Sequence, residues 1–218
     1  MTLPRLDLER LLAEAAVFCA EQSGRAEKSL YGVTDGKAVG TYIEHRFKLH
    51  LGARYQLDSG NSAKGIDFPS LDVDIKVTSA RQPQSSCPFN SARQKVYGLG
   101  YHLVVFVYDK FDDARRKSAQ LRLLHAIFID RLRTADFQTT RRLREILDAD
   151  GNRDDLIAFM HDRNLPVDEV GAMELAEELL VRRPEQGYLT ISNALQWRLQ
   201  YGRVIDEAGL VDGIRRVR

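Results

Sequence analysis

Residues 65–78 read GIDFPSLDVDIKVT, and the fold class turns on how this stretch is read. From Leu71 the polarity alternates. Leu71, Val73, Ile75 and Val77 fall on one face, and Asp72, Asp74 and Lys76 on the other. That period of two belongs to a half-buried strand. The preceding GIDFP is also extended in character and ends at Pro69, so residues 65–69 and 71–78 are expected to form a hairpin. Three charges on one strand face have two readings. Either the strand is a solvated sheet edge, a common device, or the charges serve a site, because unpaired charges are costly to bury.

Upstream, residues 3–22 carry Leu8, Leu11, Leu12, Ala15, Ala16 and Cys19 near helical spacing. A second helix is expected over 37–51, where Val39, Ile43, Phe47 and Leu51 recur every four residues. The intervening GVTDGKAVG is no phosphate loop: its lysine comes one residue early and Ala38 stands where Ser or Thr is needed. Downstream, the LVVFVY run at 103–108 reads as a central buried strand. A charged loop over 109–120 and a further strand at 121–129 follow. Helices are expected at 139–149, 153–162, 171–183 and 190–200, the last carrying Trp197. Helix, helix, hairpin, strand, strand, helices is the order of an α/β core with a helical C-terminal part. The expected division is residues 1–150 for the core and 151–218 for the helical region.

The chain has 218 residues, 44% hydrophobic and 29% charged. Such a chain can bury a core without staples, and the composition excludes collagenous and wholly disordered classes. Cys19 and Cys87 lie far apart in a chain with no CxxC, which argues against a disulfide scaffold or a cysteine zinc site. No apolar run reaches the roughly 20 residues of a membrane span, and MTLPRLDLER is too charged for a signal peptide. A soluble, cytoplasmic protein is expected. The net charge of +1 conceals a segregation: residues 110–145 carry net +5 and residues 151–186 net −5. This is either two ordinary solvated faces or a basic face for a polyanion with the acidic part turned away.

With Asp67 in GIDFP and Asp74 and Lys76 in LDVDIKVT, the stretch resembles the PD-(D/E)xK nuclease signature, in which an Asp on one strand is joined by an acid-x-Lys on the next. The six residues between the acids are similar to the branch that holds the mismatch-repair nicking enzyme and certain restriction endonucleases. That family also tends to place a Glu on a helix before the hairpin, and Glu44 in GTYIEHRFKL matches, with Gly40 one turn earlier to permit close approach. One departure is that Ile66, and not proline, precedes Asp67. The resemblance covers residues 38–108 and implies a restriction-endonuclease-like mixed β-sheet core flanked by helices. It further implies that Asp67, Asp74, the Ile75 carbonyl and Glu44 hold Mg²⁺, which acidifies a bound water, and that Lys76 positions the nucleophile.

The polar stretch after the strand supplies donors and acceptors for bases and phosphates in Arg81, Gln82, Gln84, Ser85, Ser86, Arg93, Gln94 and Lys95. Arg131, Arg133, Arg141 and Arg142 in the basic segment are candidates for phosphate contact. With no ATPase motif, the chain reads as a stand-alone type II restriction enzyme on double-stranded DNA. A homodimer is expected, since cutting both strands takes two centres and palindromic sites match a two-fold axis. A nicking or junction-resolving nuclease with the same centre is the first alternative, and a non-catalytic DNA-binding domain the second.

Overall fold

A computed structural model describes residues 3–57, 65–86, 91–192 and 197–218. In chain order the elements are α1 (Leu8–Gln22), β1 (Ala26–Glu27), α2 (Gly36–Gly52), β2 (Val73–Ser79), β3 (Gln84–Ser86), α3 (Arg93–Tyr97), β4 (His102–Asp113), β5 (Ser118–Ile129), α4 (Phe137–Asp148), α5 (Arg153–Asp162), α6 (Glu169–Val181), β6 (Thr190–Ile191), β7 (Arg198–Gln200), α7 (Gly202–Glu207) and β8 (Ile214–Arg216). The chain divides into two compact units. One comprises residues 1–85, 102–129 and 207–218, the other residues 86–101 and 130–206. The class is α/β, a mixed sheet flanked by helices.

The first unit is built on the sheet β1-β5-β4-β2, with β8 also pairing β5. β2 and β4 run parallel, Val73 opposite His102 and Ser79 opposite Tyr108, while β4 and β5 are antiparallel. A parallel pair needs a crossover between its strands, and residues 86–101 make it through the second unit. The charged segment 109–120, expected as a loop, is mostly strand. β4 runs to Asp113 and β5 starts at Ser118, because every residue from Asp109 to Asp113 still finds a partner across the pair.

α1 and α2 bury their apolar stripes against this sheet. Phe18, Phe47 and Phe106 pack with ring centroids 5.0–5.9 Å apart, Phe106 edge to face with the other two, beside the fully buried Ile43 and Leu51. Asp7 and Asp35 cap the helices by accepting from the amides of Arg10 and Lys37. The Glu14 carboxylate ties them together, taking His50 Nε2 at 2.7 Å and the Tyr55 hydroxyl at 3.0 Å. Gly40 faces Val77, where a β-carbon would sit at an ordinary 3.8 Å. Close approach therefore does not demand glycine there, contrary to expectation.

The expected hairpin is not a ladder. Phe68 and Val73 exchange a single pair of backbone hydrogen bonds, Pro69–Leu71 form a turn of 3₁₀-helix, and Asp72 sits at φ 50°. Aspartate tolerates this left-handed geometry better than most residues. It resets the alternation, so the strand begins at Val73 and not at Leu71.

The second unit buries Leu143, Leu156, Met160, Ala172, Ala176 and Leu179 among α4, α5 and α6, together with Ala92 and Val96. Gly98 takes φ 88° where a β-carbon would lie 2.7 Å from the Arg131 carbonyl oxygen, so only glycine fits. The helix expected over 190–200 is instead β6 paired antiparallel with β7, Thr190 opposite Gln200, with residues 193–196 outside the described residues. Trp197, Leu199 and Tyr201 are buried while Arg198 and Gln200 are exposed, a period of two.

Candidate active site

β2 ends the four-strand path and hydrogen-bonds β4 along one flank only. The His102 amide donates to the Asp72 carbonyl at 2.7 Å, so the backbone groups of Asp72, Asp74 and Lys76 face β4. Those of Val73 and Ile75 face the other flank. Val73 meets Phe68 there, and one step further the Ile75 amide donates to Asp67 Oδ2 at 2.9 Å. The Asp67 side chain thus takes over where the backbone pairing stops. This fixes its carboxylate beside the middle of β2, on the flank to which the Ile75 carbonyl also turns.

Three further groups close on this carboxylate. Lys48 on α2 donates to Asp67 Oδ1 at 2.5 Å. Asp74 hydrogen-bonds Asp67 through its own side chain and is also held by Lys76 Nζ at 2.7 Å. Glu44, one helical turn before Lys48, feels the charges of Asp67, Asp74, Lys76 and Lys48. Asp74 is only 5% exposed, so the polar face of this strand does not look into water, as a plain edge would.

Burial pushes the Asp74 carboxyl up to about 6, with the charge of Lys76 and its hydrogen bond pulling down and the Asp67 carboxylate adding to the rise. In Asp67 burial acts upward too. The hydrogen bonds from Lys48, Asp74 and the Ile75 amide outweigh it and hold the group below the ordinary carboxylate range. Of the two, Asp74 is the carboxyl whose protonated form the surroundings favour. Burial likewise raises Glu44, helped by Asp67 and Asp74 and opposed by Lys76 and Lys48.

A buried and a half-buried carboxyl group in hydrogen-bond contact suit a hard cation that prefers oxygen. A small divalent ion needs one or two carboxylates and keeps several waters. Asp67, Asp74 and the Ile75 carbonyl meet that description. Among the described residues no three acidic, histidine or cysteine side chains are already gathered around one point. Asp67, Asp74, Lys76 and Glu44 are thus brought together. Lys48 was not among the sequence candidates. Its signal was the four-residue spacing from Glu44, which puts both on one helix face.

The DNA-contact candidates are distributed between the units. In the first, the Thr78 hydroxyl shares its one proton between the carbonyls of Gln82 and Gln84, at 3.2 and 3.1 Å, which holds the chain in a sharp turn just beyond β2. Arg81 and Gln82 are exposed on that turn, and Ser85 follows half-buried. In the second, Ser86 is exposed and Gln94 half-buried. Arg93 forks onto both carboxylate oxygens of Glu178 and lies 5.0 Å from the Tyr97 ring centroid. Lys95 is 4% exposed with its ammonium 5.2 Å from the Trp197 ring centroid. Arg141 and Arg142 both pair with Glu145, at 2.9 and 3.0 Å, and Arg133 reaches Glu185 at 3.5 Å. Arg131 is exposed in a turn of 3₁₀-helix.

Comparison with known proteins shows the family of the chain. A family model described as type II restriction enzyme NspV matches residues 5–216. The type II restriction enzyme NspV of Nostoc sp. (strain ATCC 29411 / PCC 7524) is 63% identical over 212 residues, spanning 97% of this chain and 96% of the relative. No solved structure matches.

Proposed function

Since the chain belongs to the NspV family of type II restriction enzymes and is a site-specific DNA endonuclease, we propose that the Asp67–Asp74 pair with Lys76 is its hydrolytic centre and that Mg²⁺ is its metal. The observation that carries this reading is the hydrogen bond between the half-buried Asp67 and the buried Asp74 carboxyl groups beside β2, with Lys76 drawn onto Asp74. Type II restriction enzymes as a class require a divalent metal. Bound by Asp67, Asp74 and the Ile75 carbonyl, Mg²⁺ would supply positive charge to the scissile phosphate and acidify a bound water.

This chain's residues account for the rest. Asp67 is oriented by the Ile75 amide, so its carboxylate enters the site in one direction. Asp74 surrenders its proton above about pH 6, which readies the pair for a cation at neutral pH. Lys76, released from Asp74, orients the attacking water and stabilises charge on the phosphate. Glu44 supplies a further carboxylate on the α2 side. Arg81, Gln82, Gln84 and Ser85, immediately after the catalytic strand, touch the duplex near the cut. The exposed arginines of the second unit contact phosphates. The active species is a homodimer acting in the cytoplasm, because two strands must be cut at a palindromic site. No helix among the described residues is long and apolar enough to cross a membrane.

Digestion of plasmid DNA tests this directly. Discrete linear fragments are expected with Mg²⁺ and intact plasmid with chelator. Nicked circles would instead indicate a strand-nicking enzyme, and cleavage in chelator would refute the carboxylate–metal centre.

A further inference from the structure

We propose that Lys48 is the resident counter-cation of the carboxylate pair, and that a divalent metal must displace it from Asp67. The inference rests on the assignment of Asp67 and Asp74 as the metal-holding pair.

Asp67 is fully engaged. Oδ2 accepts from the Ile75 amide at 2.9 Å, Oδ1 accepts from Lys48 at 2.5 Å, and Asp74 bonds the same carboxylate. These partners differ in how readily they yield. The Ile75 amide is fixed by the strand, and Asp74 is itself a metal donor. Lys48 is a point charge on a flexible four-carbon stem, and its side chain is 43% exposed. It can swing into water without any movement of α2, which is anchored on either side by the fully buried Phe47 and Leu51.

Charge arithmetic agrees. Three carboxylates, those of Asp67, Asp74 and Glu44, against Lys48 and Lys76 leave the site with about one negative charge to spare. Adding a divalent ion while both lysines stay would leave surplus positive charge in a largely buried place, so one lysine must leave. Lys76 is only 19% exposed, which makes Lys48 the one to go. The consequence is weak metal affinity in the DNA-free enzyme, with carboxylate repulsion held in check until substrate arrives.

Metal binding to the DNA-free full-length protein at pH 8 is the test. It is measured with Ca²⁺ by calorimetry and with Mn²⁺ by electron paramagnetic resonance. Lys48→Met should tighten Kd on the order of tenfold, the scale of removing one charge a few ångströms from a divalent ion in a watery dielectric. Lys48→Arg should stay near wild type, and Lys117→Met, at the β4–β5 turn, should leave Kd unchanged. Amine acylation read by mass spectrometry gives a second measure on the unmutated protein: labelling of Lys48 should rise severalfold when Ca²⁺ is added. Unchanged or weaker binding by Lys48→Met, or Lys48 labelling indifferent to metal, would overturn the proposal. Asp67→Asn separates the two levels. Loss of binding in that variant with no tightening in Lys48→Met refutes Lys48 alone. Undiminished binding in Asp67→Asn refutes the carboxylate assignment and this inference with it.

Discussion

Asp74→Asn should make the metal-free protein more stable at alkaline pH, and the size of the gain follows from the site. The raised carboxyl favours folding most when protonated. Its contribution is therefore complete below the unfolded value near 3.8 and is lost as pH climbs through about 6. A rise from 3.8 to about 6 corresponds to about 3 kcal/mol of burdened ionised form at pH 8. Asparagine keeps the shape, carries no charge, and can donate its amide N–H to Asp67 as the carboxylic proton does. The attraction of Lys76 for the ionised form already lies within that net rise. A gain of about 3 kcal/mol at pH 8 converts to a Tm higher by roughly 6–12 °C for a chain of this size. Thermal unfolding in chelator from below pH 4 to pH 8.5 is the assay. The gap between variant and wild type should open between the unfolded value near 3.8 and about pH 6, stand at about half its full size near pH 5, and level off above that window. Excess Ca²⁺ should raise wild type and not the variant, closing the gap. A variant that melts no higher than wild type, or a gap that ignores pH, would refute the picture of a buried Asp74 carboxyl raised beside Asp67.

Lys76→Met should lower single-turnover cleavage by at least about a hundredfold, the scale of losing a group that acts on the reacting water, while Ca²⁺-dependent DNA binding stays within a few-fold of wild type. A rate near wild type would remove Lys76 from the chemistry. Arg131→Ala should weaken binding to cognate and random duplexes alike and reduce the salt slope by about one unit. Gln82→Ala should cost about 1–3 kcal/mol on the cognate site only, with the slope unchanged. Binding isotherms at several salt concentrations decide both, and indifference in either variant would place that residue outside the DNA interface.

Much of the core was legible because its signals are local. The four-residue spacing of Val39, Ile43, Phe47 and Leu51 gave α2 almost to the residue, and the LVVFVY run gave β4. Asp67, Asp74, Lys76 and Glu44 were legible as a set through their family pattern. Their relations were not, since they arise from long-range packing. Asp74 looked solvated by alternation and is buried, because α2 and the 66–68 loop cover the flank of β2. The hairpin misread came from Asp72, whose left-handed backbone interrupts an alternation that sequence alone carries through. The 190–200 misread has a plainer source. Trp197, Leu199 and Tyr201 alternate with Arg198 and Gln200, and the strand period was there to be counted. The arginines of the basic segment looked available for phosphate, yet Arg141 and Arg142 share Glu145, one helical turn away on the same face.

The most direct measurement of the central claim is cleavage and binding by Asp67→Asn on a cognate oligonucleotide duplex. With Mg²⁺ this variant should give no detectable product under conditions where wild type cuts to completion. Its far-UV circular dichroism should match wild type, and its duplex affinity in chelator should be no weaker, since a neutral side chain near the phosphates removes repulsion. Cutting by Asp67→Asn at a rate near wild type would contradict the account and move the hydrolytic centre away from the flank of β2.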